Sequence, residues 1–382
     1  MSVTIKVTKK NLQEALEDVI LGVEGSDENK IQSHVVFRIQ DDAVQLLSAG
    51  LRVFASAKVH AATFDGDETF TVPAWRLATW LGNIKNPDEE VTVEYNKGVT
   101  TLISPRGKGR VGSLDPAAFS WWDTVLDDLE DKATVEASAL ARALDYSRKF
   151  CSDQETKFPQ QCAVECRNGV FHSTDRVVVA LTEAPGCENL TLRAHSKDIS
   201  PILAFLGRRT GDDIRVAEYE RGQVFLHGDS ILGVTRWMYP FPSEIKMNRE
   251  DTPRLELAVS ASALKEAIAY VSTFADKQDK VLHLNVDSGS LVVGTNSAAS
   301  VGGQDTVVIP LTNTPDTSAF TTDYPNGIRV DRDHLVKILG AYGVKGDVSL
   351  GMSWKGARGG TRFRWKSEDD VVDFYSVLLW MK

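Results

Sequence analysis

A chain of 382 residues, 42% hydrophobic and 25% charged, is long enough for two to four domains and too apolar for a disordered or collagen-like polymer. It has no apolar run long enough to span a membrane and no apolar segment in the N-terminal MSVTIKVTKK to act as a secretion signal. Its four cysteines are too few to staple a secreted scaffold of this size, so a reducing cytoplasm is the expected home. Forty-three basic against 53 acidic residues give a net charge of −10, which argues against an ordinary basic nucleic-acid binder unless the basic residues gather on one surface.

In chain order, the alternating N-terminus predicts a strand that runs into an amphipathic helix in KVTKKNLQEAL (6–16). SHVVFRIQ (33–40) reads as a strand, VPAWRLATWLGNI (72–84) as a second helix and EEVTVEY (89–95) as a further strand. PRGKGR (105–110) lacks the Walker spacing and is expected to be a hairpin turn. The Asp-rich DTVLDDLEDK (123–132) is a candidate linker. A helix in TVEASALARAL (134–144) follows, then one in AHSKDISPILAFL (194–206), with strands in DIRVAEY (213–219) and QVFLHG (223–228). MNREDTPR (247–254) is the second linker. The last third has helices in AVSASALKEAI (258–268) and VDRDHLVKILGAY (330–342), and strands in VLHLNV (281–286), SLVVGT (290–295) and TRFRWK (361–366).

The helices repeat. Leu12, Leu140 and Leu264 align, as do Ala15, Ala143 and Ala267. In the second helix of each third, Leu77, Ile199 and Leu335 align, followed by Leu81, Leu203 and Leu339. Ser138 and Ser262 lie near helix starts, where a hydroxyl can cap free N–H groups. The expected class is α+β: three modules, at 1–128, 129–252 and 253–382, each with two helices backed by antiparallel strands.

A helix packed on a sheet needs one apolar face, so the opposite face can carry charge. At about 100° per residue, Arg142 and Lys149 fall opposite Leu140, and Lys197 and Arg208 opposite Ile199. Lys10 and Lys337 point away from Leu12 and Leu335. The helical segments together are mildly basic although the chain is strongly acidic, so charge is segregated.

ISPRGKGRVGSLDPAAF (103–119), GVFHSTDRVVVALTEA (169–184), MYPFPSEIKM (238–247) and YSVLLWMK (375–382), in this order and spacing, resemble segments of the bacterial-type DNA polymerase III beta sliding clamp. The resemblance runs end to end. Arg176, Val177 and Val178 stand where the family has Gly-His-Arg, and Leu379 and Trp380 where it has Pro-Met. Such departures suit a divergent clamp of a phage or other mobile replicon, working in the host cytoplasm.

The resemblance implies three tandem clamp domains that assemble as a head-to-tail homodimer into a ring. Twelve lining helices spaced by about 10 Å leave a hole roughly 28 Å across, a loose fit for duplex DNA. It implies a processivity factor whose partners are double-stranded DNA bound without sequence preference, a DNA polymerase, a clamp loader and other proteins carrying clamp-binding motifs. Lys10, Arg76, Arg142, Lys149, Lys197, Arg208, Lys265 and Lys337 are expected to face the duplex, joined by the loop residues Lys157 and Phe158. A partner-peptide groove would use Thr174, Val177, Val179, Pro242, Met247, Leu378, Leu379 and Trp380. The subunit interface would use Val111, Leu114, Thr273 and Phe274.

Nothing in the sequence points to catalysis, a cofactor or a metal. There is no Gly-x-Ser-x-Gly and no His-Glu-x-x-His. Cys162 and Cys166 lack a second ligand pair and read as core thiols. Two other roles for the same fold stay open: a tether for transcription or repair factors, and a decoy for a host clamp loader.

Overall fold

The computed structural model describes residues 2–40, 42–119, 129–242, 252–275, 280–295, 306–340, 346–355, 358–366 and 373–381. The described chain is α+β, with antiparallel pairing throughout the registers that follow. It divides into two compact units, residues 1–141 with 186–238, and residues 142–185 with 239–382.

Seven α-helices are described: α1 (Lys9–Val19), α2 (Ala74–Gly82), α3 (Ala137–Arg148), α4 (Ile199–Gly207), α5 (Ala261–Phe274), α6 (Ser318–Asp323) and α7 (Arg332–Gly340). Six are those expected from the repeat; the short α6 is additional. Strands Ser2–Thr8, Glu130–Glu136 and Leu255–Ser260 lead directly into α1, α3 and α5. The caps sit earlier than Ser138 and Ser262. Thr8 Oγ1 accepts from the Asn11 amide at 3.4 Å, and Ser260 Oγ accepts from the Ala263 amide at 3.4 Å. Glu136 accepts from the amides of Ser138 and Ala139 at 3.0 and 3.1 Å. Ser138 and Ser262 already lie inside their helices, and the residue before each helix takes the orphan N–H groups.

In the first unit one sheet runs Thr63–Asp65, Ser2–Thr8, Glu90–Asn96, Val99–Ser104, Gly107–Gly112. A second runs Glu130–Glu136, Asp213–Tyr219, Gly222–His227, Ser230–Thr235, Val53–Val59, Ala43–Ala49, His34–Gln40, Phe70–Pro73. Leu12 and Leu16 of α1 and Leu77 and Leu81 of α2 share one core with Val35, Phe37, Val91 and Val93. The Phe37 and Tyr95 rings stack on either side of Phe70, at 5.0 and 4.9 Å.

In the second unit, strands run Ala163–Arg167, Val170–Thr174, Val178–Glu183, Asp373–Leu379, Arg358–Lys366, Asp347–Lys355, Leu255–Ser260. Another sheet runs Thr306–Pro310, Ser290–Thr295, Val281–Asp287, Ile328–Asp331. Cys162 and Cys166 are buried free thiols. PRGKGR turns as expected, with Ser104 opposite Gly107. Residues 123–128 of the first linker lie outside the described residues. Residues Glu130–Lys132 belong to a strand, where Lys132 Nζ reaches Glu130 and, across the pairing, Glu218 at 3.5 Å. Charge masks the alternation there. Most of the second linker lies outside the described residues.

Each unit contains one strand pairing that joins two repeats. Val53–Val59 pairs antiparallel with Ser230–Thr235, Val53 opposite Val234. Val178–Glu183 pairs antiparallel with Asp373–Leu379, Val178 opposite Leu378. These are corresponding strands: the third strand after the first helix of one repeat meets the last strand of the next.

Candidate functional site

The lysines and arginines expected on one surface differ in what they already hold. Lys10 is exposed, with only a 3.9 Å pairing to Glu14 one turn on. Lys157 and Lys197 are exposed. Lys149 Nζ lies 2.8 Å from Asp145. Arg76 Nε donates to Glu28 at 2.8 Å, and its guanidinium stacks 4.3 Å from the Trp75 ring. Lys265 is half-buried between α5 and α7. Arg142 is half-buried, with Nε and Nη2 closed off from solvent. Phe158 is half-buried under the Arg176 guanidinium at 4.4 Å.

Arg208 is bound most firmly. Its Nη2 and Nε donate to Asp18 Oδ1 at 2.6 and 3.2 Å, while Arg209 Nη2 donates to Asp18 Oδ2 at 2.5 Å. Burial by itself would raise the Asp18 pKa. Hydrogen bonds from Arg209, Ser230 and Arg208 and the Arg209 charge outweigh it and hold the carboxyl below its ordinary value.

The groove residues divide in two. The pairing of Val178–Glu183 with Asp373–Leu379 brings Thr174, Val177, Val179, Leu378 and Leu379 together, and the Leu379 amide donates to the Val177 carbonyl at 3.0 Å. Thr174, Val179 and Leu378 are buried; Val177 is half-buried and Leu379 is 45% exposed. Glu165 accepts from the Phe241 amide at 2.6 Å and so fixes the segment that carries Pro242. Met247 lies outside the described residues. Trp380 is committed elsewhere. Its indole N–H donates to Thr361 Oγ1 at 2.8 Å, and its ring packs on Tyr324 and Trp354 at 5.1 and 6.2 Å.

Of the interface residues, Val111 and Leu114 lie at one outer strand edge and just beyond it, and Thr273 and Phe274 end α5. Val111 belongs to Gly107–Gly112, the outer strand of its sheet. Leu114 beyond it is tied down, its amide donating to Thr71 Oγ1 at 2.7 Å. Phe274 is 48% exposed and packs against Tyr270 at 5.2 Å, and the Thr273 hydroxyl donates to the Tyr270 carbonyl at 2.7 Å. Beside them lies the outer strand Thr306–Pro310, with Val308 60% exposed.

Two clusters were not anticipated from the sequence. Arg52 Nε lies 3.0 Å from Asp198 Oδ2. His334 bridges Asp331 and Asp175, with Nδ1 2.7 Å from Asp331 Oδ1 and Nε2 3.1 Å from Asp175 Oδ2. Asp198 and His334 occupy the same position in the aligned repeats, one residue before Ile199 and Leu335. That offset was the available signal. Among the described residues no group of three or more His, Cys, Asp or Glu is placed to hold a metal ion, and no helix is long and apolar enough to cross a membrane.

This architecture is that of the bacterial DNA sliding clamp. The chain superposes over 100% of its length on all of the DNA polymerase sliding clamp from Bacillus subtilis, at TM-score 0.80 and 14% identity. The DNA polymerase III beta subunit from Pseudomonas aeruginosa is matched over 99% of this chain and 100% of that one, at TM-score 0.80 and 15% identity. The sliding clamp from Bartonella birtlesii, solved bound to griselimycin, is matched over 100% of both chains at TM-score 0.79 and 17% identity. At such identities the likeness establishes the fold. No family model matches the sequence, and no curated protein matches it.

Proposed function

We propose that the protein is a DNA sliding clamp, a non-catalytic processivity factor that closes around duplex DNA as a head-to-tail homodimer and tethers a polymerase and other partners. The carrying observation is the correspondence between joined and free strand edges. Two repeat-to-repeat junctions are made inside the chain by pairing corresponding strands. The two strands in the same positions of the terminal repeats, Thr306–Pro310 and Gly107–Gly112, are left as outer edges. Pairing the first of these with the second of another copy repeats the same junction and leaves no junction strand unpaired.

Side chains support this reading. Asp18, Tyr146 and Tyr270 are equivalent by the offsets that align Leu12, Leu140 and Leu264. Asp18 bonds Arg208 and Arg209, and Tyr146 bonds Ser376, each across a junction; Tyr270 is 56% exposed. The repeat position of Asp198 and His334 falls in α2 on Arg76. This equivalence favours a place for Arg76 at the subunit junction over one on the DNA. Exposed Lys108 and Arg110 on one edge complement Glu266 beside the other. The domains are 1–128, 129–252 and 253–382.

The DNA-contacting set is then Lys10, Lys157 and Lys197, with Lys149, Lys265 and Lys337 as weaker contributors. Backbone attraction without base readout permits sliding. The groove rests on Val177, Leu379 and Pro242 over the buried floor of Thr174, Val179 and Leu378.

The test is retention on a nicked circular plasmid after loading by the cognate loader, followed by linearisation. A ring stays on the circle and runs off the linear form. Equal retention on both contradicts encirclement.

A further inference from the structure

The one-residue bridge at the second junction has a design that the first lacks. At the first, loop residue Arg52 supplies the cation and Asp198, at the start of α4, the anion. At the second the polarity is reversed: loop residue Asp175 supplies the anion and His334, near the start of α7, the cation. Arginine keeps its charge at every working pH, whereas histidine does not.

Asp175 divides its two oxygens between two tasks. Oδ1 accepts from the amides of Val177 and Val178 at 3.2 and 2.9 Å and winds the loop around itself. The Thr174 hydroxyl closes the same loop onto the Val178 carbonyl at 2.8 Å, and Arg176 is held at a left-handed φ of 82°. Oδ2 receives His334 Nε2 at 3.1 Å and Lys337 Nζ at 3.6 Å. His334 Nδ1 faces Asp331 Oδ1 at 2.7 Å. With a carboxylate at each ring nitrogen, both nitrogens must donate, which requires the imidazolium.

The neighbourhood is balanced around that charge. Asp175 and Asp331 are the anions facing the ring; Lys337 shares Asp175 and also lies 5.1 Å from the Phe150 ring. Lys280, Arg332 and Asp333 form their own pairs beside Asp331, at 2.8 and 3.2 Å. The Cys151 thiol, close enough to feel Asp175 and Lys337, is pushed up by burial and stays neutral. Arg176 stacks on Phe158. Loss of the His334 proton would leave two carboxylates facing one neutral ring.

We propose that His334 is the positioning residue of the loop Thr174–Val178: by latching Asp175 to α7 it fixes the rim of the partner groove, and its protonation sets whether that rim is held. The groove's role rests on the sliding-clamp reading above; the latch itself does not.

The test is hydrogen–deuterium exchange of the full chain between pH 7 and pH 10, corrected for the intrinsic base-catalysed rate and read on peptides covering 174–183 and 53–59. In the wild type, protection of 174–183 falls about tenfold above roughly pH 9 while 53–59 is unchanged. His334→Gln shows that loss already at pH 7. His334→Arg, which keeps a cation, stays protected to pH 10. Wild-type exchange without a pH step, a step that persists in His334→Arg, or unchanged exchange in His334→Gln would each overturn the proposal. No DNA or partner enters the experiment, so failure of the ring reading would leave its result standing.

Discussion

Asp18 and Arg209 form a buried ion pair, Oδ2 to Nη2 2.5 Å, between residues 191 positions apart in the chain. Arg208 occupies the other carboxylate oxygen and is itself a third exposed. The difference in burial separates the two arginines. Arg209→Ala leaves the buried Asp18 Oδ2 without its charged hydrogen bond while Arg208 still pairs with Oδ1, and is expected to cost about 1.5–3 kcal/mol. Arg208→Ala, whose partner keeps Arg209, is expected to cost roughly 1 kcal/mol. Urea unfolding midpoints check the ranking, and equal losses would contradict it.

The His334 bridge makes stability depend on alkaline pH. The hydrogen bonds that His334 donates to Asp175 and then Asp331, opposed by burial, raise its pKa from 6.5 to about 9. A raised folded-state pKa means that the stabilisation is complete below pH 6.5 and is lost as pH rises through about 9. Thermal unfolding temperature should therefore fall between these values in the wild type and fall less in His334→Gln. On the acid side, Asp18 and Asp175 are held below the ordinary carboxylate value of 3.8, Asp175 by His334 and the Val178 amide against burial. Their contribution is present above pH 3.8 and disappears as pH drops through the lowered values.

The strand edges inside the chain are close-packed. A Cβ at Gly233 would fall inside the Phe54 ring, opposite it in the Val53–Val59 pairing. Gly233→Ala is expected to cost more than about 3 kcal/mol, since the clash is with a buried aromatic ring that has nowhere to turn. Gly112→Ala on the free edge, where nothing lies within 4 Å, serves as the control and should cost under about 1 kcal/mol. Denaturant titration of both variants checks this.

The periodicity of the sequence was enough to locate six helices and eight strands, because each of those helices carries an apolar stripe and strands such as Val281–Asp287 alternate in burial, whereas Phe70–Pro73 is buried at every position. Leu12, Leu140 and Leu264 are all buried. What could not be read was how charge is spent. On a helical wheel Arg208 and Lys10 look alike, yet Arg208 meets Asp18 from 190 residues away while Lys10 remains exposed. Trp380 resembles an exposed anchor because it nears the chain's end; its indole instead finds Thr361, Trp354 and Tyr324. Long-range partners of this kind leave no local periodicity.

The difference in exposure among the cations bears on DNA. The triple substitution Lys10→Glu, Lys157→Glu, Lys197→Glu should weaken retention and lower the salt slope by about 0.9 for each phosphate the ring no longer neutralises, with unchanged unfolding. Arg208→Glu should act chiefly through stability, because it sets a carboxylate against Asp18. Retention of the triple variant equal to wild type at every salt concentration would remove these lysines from the channel.

The most direct test of the account is negative-stain electron microscopy of the purified protein. Closed rings of two copies, each ring built from six similar lobes, are the predicted result. Particles containing a single copy at every concentration would contradict closure through Thr306–Pro310 and Gly107–Gly112, and with it the encirclement of DNA.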